Sequence, residues 1–137
     1  MTELILRKIE TELKEQLDRC GILYRIFSRV KNSISINNKL SKKKDSYIKE
    51  KRKMQDFLAF RITLYFKDDV DIIYHYLKDK TNFISESKDS IHPDKFCPIR
   101  LNLVMGLPED FIDDFNTDVR DKVPEHSDFI DNTYEIQ

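Results

Sequence analysis

The segment RVKNSISINNKL, residues 29–40, carries basic and hydroxyl side chains at intervals that suit phosphate binding. If a helix covers the segment, Lys31, Ser35 and Lys39 stand four residues apart and form one stripe along its face. Ammonium groups in line with a hydroxyl suit a polyphosphate chain, and the N-terminus of a helix adds free N–H groups. Arg29 offers a planar guanidinium for a phosphate or for stacking on a base. The alternative is a polar helix face whose lysines contact only water.

Carboxylates farther along the chain suggest a metal site. Asp56 is the first residue of a strongly apolar segment, DFLAFRITLYF, where a charged side chain is unexpected. An aspartate there can hold Mg²⁺, which usually takes one or two carboxylates together with phosphate oxygens and water. Glu135, in the final segment TYEIQ, can share the metal or accept a proton from an attacking hydroxyl. The alternatives are a turn or capping residue for Asp56 and an exposed strand residue for Glu135.

The order of these residues resembles the synthetase domain of the RelA/SpoT family, the enzymes that make the alarmones ppGpp and pppGpp. The family pattern runs Arg-x-Lys, Ser-x-x-x-Lys, Asp-x-x-Ala-x-Arg and Glu-[Val or Ile]-Gln, and each part is present here in that order. The matching residues are Arg29 and Lys31, Ser35 and Lys39, Asp56 with Ala59 and Arg61, and Glu135 with Gln137. The resemblance covers the chain from about Tyr24 to its end.

The resemblance implies transfer of the β,γ-pyrophosphate of ATP to the 3′-hydroxyl of GDP or GTP, with release of AMP and with Mg²⁺ as the cofactor. Asp56 would bind Mg²⁺, and Glu135 would help to bind it or would activate the acceptor hydroxyl. Transfer of this kind depends mainly on positioning and on neutralisation of charge. ATP and its phosphates would be bound by Arg29, Lys31, Ser35 and Lys39, with Arg61 supporting the same pocket.

The acceptor side departs from the family pattern. The acceptor loop of the family contains Gly-Tyr-x-Ser-x-His, whose tyrosine stacks on guanine, whereas residues 96–104 here read FCPIRLNLV. The candidates for contacts with the acceptor are Phe96, Arg100, Asn102 and Gln137, and Phe96 suits the core equally well. An adenine nucleotide or a tRNA end therefore stays open as the acceptor, as does a non-catalytic nucleotide-binding module. The family continues beyond its Glu-[Val or Ile]-Gln motif, so we expect residues 1–137 to form one synthetase domain that is incomplete at its C-terminal end.

The elements that must position these residues alternate between helices and strands. The first helix is predicted over residues 2–19, ended by Gly21, from a helical spacing of apolar residues: Leu4, Leu6, Ile9, Leu13 and Leu17. Strands are predicted at residues 22–30, 56–66, 99–107 and 133–137, with at most a short edge strand within 82–95. The strand at 56–66 is expected to be central and buried on both faces.

Further helices are predicted to begin at Asn32 or Ser33, at a cap of Asp68 or Asp69, and briefly after Pro108. The alternation predicts an α+β fold, in which helices pack on a mixed, mostly antiparallel twisted sheet of about five strands. The resemblance to the RelA/SpoT family implies that this architecture is a nucleotidyltransferase-like synthetase fold.

Charge is segregated along the chain, although the net charge of its 137 residues is only −1. Residues 39–53 contain eight lysines or arginines against Asp45 and Glu50, whereas residues 109–137 contain ten acidic residues. The basic segment can attract the phosphates of a nucleotide or of nucleic acid, although a solvated helix face is the commoner explanation. Without a long apolar run or a signal peptide, the sequence predicts a cytoplasmic protein with no membrane contact, and an oligomer stays possible.

Overall fold

Helices and strands alternate along the computed structural model, which describes residues 2–49, 53–89, 100–125 and 127–137. The helices are α1 (Thr2–Arg19), α2 (Ser33–Lys49), α3 (Lys67–Lys78) and α4 (Glu109–Lys122), followed by a short 3-10 helix at Ser127–Phe129. The strands are β1 (Tyr24–Val30), β2 (Leu58–Leu64), β3 (Phe83–Asp89), β4 (Arg100–Gly106) and β5 (Thr133–Ile136). Within these residues the strands form one sheet in the order β1-β2-β5-β4-β3, in which β2 and β5 are parallel and the other neighbours antiparallel. The predicted α+β fold with a mixed, mostly antiparallel sheet is confirmed.

Helix α1 has the predicted bounds. It ends before Gly21, whose φ of +68° is the left-handed conformation that glycine adopts at no steric cost. The residues that α1 buries are Thr2, Ile5, Leu6, Ile9, Leu13 and Leu17. Leu4, which the sequence placed in this stripe, is instead 49% exposed, because Ile5 takes the core position on that turn. No helix among the described residues is both long and apolar enough to cross a membrane.

Strand β2 is shorter than predicted, and only its first half is buried on both faces. It begins at Leu58, so Asp56 lies in the connection before it. Ala59 is buried, whereas Arg61 and Thr63, on the same face, are exposed. Helices α1 and α3 cover the other face, where Ile62 lies among apolar residues of both helices. The prediction of burial on both faces was therefore wrong for the second half of β2, because the helices pack on one side.

Strand β3 and helix α4 are longer than the sequence indicated. The edge strand predicted as short runs for seven residues, Phe83–Asp89, in antiparallel register with β4. The helix after Pro108 runs for 14 residues, because Phe115 and Val119 give it a buried stripe against the core. Burial of an apolar face, rather than local propensity, sustains a helix of this length.

Helix α3 begins without the predicted side-chain cap. Phe66 occupies the capping position and makes no side-chain capping hydrogen bond. Asp68 and Asp69 lie in the first turn instead, where carboxylates interact favourably with the positive end of the helix dipole. The face that α3 turns to the core carries Ile73 and Leu77, which are buried.

Aromatic contacts fix the first half of β2 and the residue before it in the core. The fully buried ring of Phe57 meets Phe115 of α4 edge to face at a centroid distance of 5.5 Å. Phe60 meets Tyr134 of β5 in the same manner at 5.6 Å. Burial of such a ring stabilises the fold by about 1.5–3 kcal/mol, and the ring pair adds about 0.5–1.5 kcal/mol. The chain around Asp56 is thus anchored from the core side.

Candidate functional site

The connection from β1 to α2 places Lys31 and caps the helix. The backbone N–H of Lys31 donates to the carbonyl of Phe57 at 2.8 Å, which ties it to the start of β2. Asn32 is the N-cap of α2, since its Oδ1 accepts from the N–H of Ser35 at 2.7 Å. Lys31 therefore precedes the helix, and only Ser35 and Lys39 share the helical stripe that the spacing predicted. Ser35 is exposed in the first turn of α2, one turn before Lys39.

Asp56 lies between the ammonium groups of two lysines. Lys31 Nζ is 3.0 Å from Asp56 Oδ2, and the side chains are 15% and 19% exposed. Lys39 Nζ is 3.9 Å from Asp56 Oδ1, and its side chain is 33% exposed. The first contact is a charge-assisted hydrogen bond in a partly dry setting, whereas the second is a looser ion pair at the rim. Lys31 thus holds the carboxylate in place, whereas the contact of Lys39 is longer and more exposed.

Glu135 of β5 completes a cluster with these charges. Burial makes the largest contribution to raising the pKa of Glu135, and the negative charge of Asp56 raises it further. The hydrogen bond from Gln137 Nε2 to Glu135 Oε1, at 3.3 Å, and the positive charges of Lys39 and Lys31 act in the opposite direction. The two carboxylates therefore influence each other electrostatically, with Glu135 placed beside Ala59, three residues after Asp56. They are a donor set that suits Mg²⁺, and no larger group of His, Cys, Asp or Glu occurs among the described residues.

One face of the β1–β2 pair is open and carries arginines. On the helix side, the hydroxyl of Ser28 donates to Oε2 of Glu10 in α1 at 3.0 Å. Neighbouring residues of a strand point to opposite faces, so Phe27 and Arg29 lie on the open face. The antiparallel register places Phe27 opposite Arg61, which is exposed on the same face.

A groove of about 450 Å³ crosses this open face. Its floor includes Ala59, which lies between Arg29 on β1 and Glu135 on β5 in the register of the sheet. The small side chain of Ala59 leaves space between a guanidinium and a carboxylate. Arg61, on the groove wall, donates from Nη2 to Gln137 Oε1 at 3.5 Å. Diagonal neighbours on paired strands are about 7–8 Å apart, so Arg29 and Arg61 are spaced to grip one planar ring.

The acceptor candidates are only partly within the described residues. Phe96 lies outside them, and Arg100 begins β4 without a described side chain. Asn102 lies two residues before Val104, which pairs with Glu135, so Asn102 shares the face that carries Glu135. Gln137 contacts Glu135 and Arg61 and so joins the carboxylate cluster to the arginine groove. An acceptor lying over β4 would meet Asn102.

Sequence reasoning missed one contributor to this site, Phe27, and the contact that a second residue, Gln137, makes with Arg61. Phe27 is 57% exposed and lines the groove, although it was not singled out in the sequence. Its signal was the alternation of YRIFSRV, which places Phe27 and Arg29 on one face. The bridging role of Gln137 had no local signal, because Arg61 reaches it only through the pairing of β2 with β5.

Comparison with known proteins gives one match. Residues 28–101, more than half of the chain, match a family model described as a region found in RelA / SpoT proteins. The matched range ends before Glu135 and Gln137, which the fold brings beside Ala59 and Arg61. A comparison with curated proteins gave no match.

Proposed function

The chain belongs to the RelA/SpoT family, and we propose that it is a pyrophosphokinase of the (p)ppGpp synthetase type. In this reaction the 3′-hydroxyl oxygen of GDP or GTP attacks the β-phosphorus of ATP. The bond between the β-phosphorus and the oxygen that bridges it to the α-phosphorus breaks. This oxygen leaves as part of AMP. The observation that carries the proposal is a groove flanked by Arg29 and Arg61 on the sheet face that also carries Glu135, next to the start of β2, where Asp56 pairs with Lys31 and Lys39.

ATP is proposed to lie with its base in the groove and its phosphates toward α2. The guanidinium groups of Arg29 and Arg61 grip the base by stacking, a contact that planar cations make well. Lys39 turns to the phosphates at small cost, because a loose ion pair of an exposed lysine contributes only about 0–1 kcal/mol. The exposed hydroxyl of Ser35, one turn away, donates a neutral hydrogen bond to the same phosphates. Lys31 acts mainly by positioning Asp56.

Mg²⁺ fits this site because Asp56 and Glu135 supply carboxylate oxygens and ATP would supply phosphate oxygens, the donor set that this ion prefers. When bound, Mg²⁺ would neutralise charge on the transferred pyrophosphate. Asp56 would hold the ion with a carboxylate whose orientation is fixed by its contact with Lys31. Lys39 would neutralise part of the remaining negative charge of the phosphates.

Glu135 is proposed to take the proton of the attacking 3′-hydroxyl. Its raised pKa makes it a stronger base than an ordinary glutamate at the pH of the cell. The hydrogen bond from Gln137 orients one carboxylate oxygen and leaves the other either for Mg²⁺ or for the acceptor hydroxyl. General base catalysis of this type contributes about 10²–10⁴-fold in rate, and positioning of the reactants contributes more.

The test is release of AMP from ATP in the presence of Mg²⁺ and of each candidate acceptor in turn. AMP and a pyrophosphorylated acceptor are expected, and Asp56→Asn should abolish both. Asp110→Asn is the matched control, because Asp110 is an exposed aspartate in the first turn of α4. If ATP binds but no acceptor yields AMP, the chain is no pyrophosphokinase.

The replaced acceptor loop, FCPIRLNLV, favours a second candidate in which the acceptor is an adenine nucleotide or a tRNA end. The same assay with ATP alone and with tRNA separates these acceptors, because the pyrophosphorylated product identifies the substrate. A non-catalytic nucleotide-binding module predicts binding of ATP in calorimetry without turnover. The wild-type chain and Asp56→Asn would then release equally little AMP.

A further inference from the structure

The open face of β1 and β2 continues past the nucleotide groove. Exposed residues alternate along β1 as Arg25, Phe27 and Arg29, and the register places Thr63 of β2 opposite Arg25. Tyr65 follows the last residue of β2, continues the alternation and is 55% exposed. We refer to this surface as the arginine–aromatic face, and its residues are Arg25, Phe27, Arg29, Arg61, Thr63 and Tyr65.

The arginine–aromatic face extends away from the charged cluster. Lys31 and Asp56 lie at the end of the β1–β2 pair where β1 finishes and β2 begins. Arg25 is four residues from Arg29 along β1, a distance of about 13 Å in a strand. A ligand that binds at Arg25 and Tyr65 thus lies beyond the reach of the phosphate site.

The charge of the arginine–aromatic face has one sign. At its alternating positions, 25–29 on β1 and 59–65 on β2, the described residues include arginines and no acidic side chain. Helices α1 and α3 pack on the opposite face, so the exposed rings are not explained by the core. Exposed aromatic rings interleaved with arginines on an antiparallel sheet suit a ligand that presents both phosphates and flat bases.

We propose that the arginine–aromatic face binds single-stranded nucleic acid. Phe27 and Tyr65 stack on bases, and the arginines contact the phosphates between them, which is how sheet surfaces of several folds hold single strands. A duplex does not present the faces of its bases and therefore binds weakly. Binding of a single strand goes beyond the proposed pyrophosphate transfer, and it shares Arg29 and Arg61 with the groove proposed for the base of ATP.

Binding is measured by fluorescence anisotropy with the full chain and a labelled oligouridylate. Its length of about 12 nucleotides is within the usual range for one binding site. Three arginines that each contact a phosphate predict a slope of log affinity against log salt of about −2. A slope near zero would overturn the proposal. So would equally tight binding of a duplex of the same length.

Matched substitutions locate the binding surface. Tyr65→Ala should weaken binding about tenfold, the loss of one stacked base, whereas Tyr76→Ala, at an exposed tyrosine of α3, should not change it. Arg25→Gln should make the salt slope shallower by about 0.7, and Arg7→Gln, at an exposed arginine of α1, should leave it unchanged. Equal effects of the site and control variants would overturn the proposal, provided that thermal melts show all four to be folded.

Two controls distinguish the binding of single-stranded nucleic acid from pyrophosphate transfer and from the binding of an acidic protein. Asp56→Asn removes the proposed metal ligand but leaves the arginine–aromatic face intact, so it should bind the oligouridylate as the wild type does. If the chain binds the oligouridylate normally but releases no AMP, only the pyrophosphokinase proposal is wrong. If polyglutamate binds with the same dependence on Arg25 and Tyr65 and the oligouridylate does not, the face serves an acidic protein partner and the proposal is wrong.

Discussion

Removing the charge of Asp56 should destabilise the fold through the loss of its contact with Lys31. Lys31 Nζ and Asp56 Oδ2 are 3.0 Å apart, and their side chains are only 15% and 19% exposed. An exposed ion pair contributes about 0.2–1 kcal/mol, and breaking a fully buried pair costs about 3–5 kcal/mol. For a partly buried hydrogen bond between charged groups we expect about 1.5–3 kcal/mol. Asp56→Asn keeps the shape of the side chain, so this loss reflects charge rather than packing.

A double-mutant cycle measures this contact directly. The free energy of unfolding in urea is determined for the wild type, Lys31→Met, Asp56→Asn and the double variant, and the coupling energy should be about 1.5–3 kcal/mol. The matched control is the cycle with Lys39→Met, whose Nζ is 3.9 Å from Asp56 and whose side chain is 33% exposed. There the coupling should stay below about 1 kcal/mol.

The comparison of the two coupling energies tests whether Lys31 is the residue that positions Asp56. A Lys31–Asp56 coupling below about 0.5 kcal/mol, or one smaller than that of Lys39, would refute the assignment of Lys31 as the residue that positions Asp56. The pKa of Glu135, followed by NMR, gives an independent readout. Asp56 raises that pKa, so Asp56→Asn should lower it, and an unchanged value would place the two carboxylates too far apart to share a metal ion.

Three further predictions concern the residues around this cluster. Because the pKa of Glu135 is raised in the folded protein, its ionised form lowers the stability of the fold at pH 7. Glu135→Gln should therefore raise the melting temperature at pH 7. The difference should disappear below about pH 4.3, the pKa of a glutamate in the unfolded chain. A lower melting temperature at pH 7 would contradict the sign. Ala59→Leu should fill the groove floor and weaken ATP binding in calorimetry by about tenfold or more, whereas unchanged affinity would place ATP elsewhere. Asn32→Ala should cost about 1 kcal/mol in urea unfolding, and no loss would show that the cap on Ser35 is not formed.

Local patterns predicted most of the elements, because a helix and a strand each impose a short period on the sequence. The apolar spacing over residues 2–19 gave both bounds of α1, and alternation in YRIFSRV indicated β1. Patterns were weaker where a residue could serve either of two neighbouring positions, as with Leu4 and Ile5. They also underestimated α4, whose length depends on what its buried stripe meets.

By itself the sequence determined the order of basic, carboxylate and amide residues, and hence the family to which the chain belongs. The tertiary structure decided which of those residues meet. Glu135 comes beside Ala59 only because β5 inserts in parallel next to β2, and burial there, together with the charge of Asp56, raises the pKa of Glu135. The open face that continues beyond Arg29 likewise exists because the helices pack on one side of β1 and β2. Pairing between distant strands and the choice of covered face are long-range outcomes of burying the whole core, and no local period encodes them.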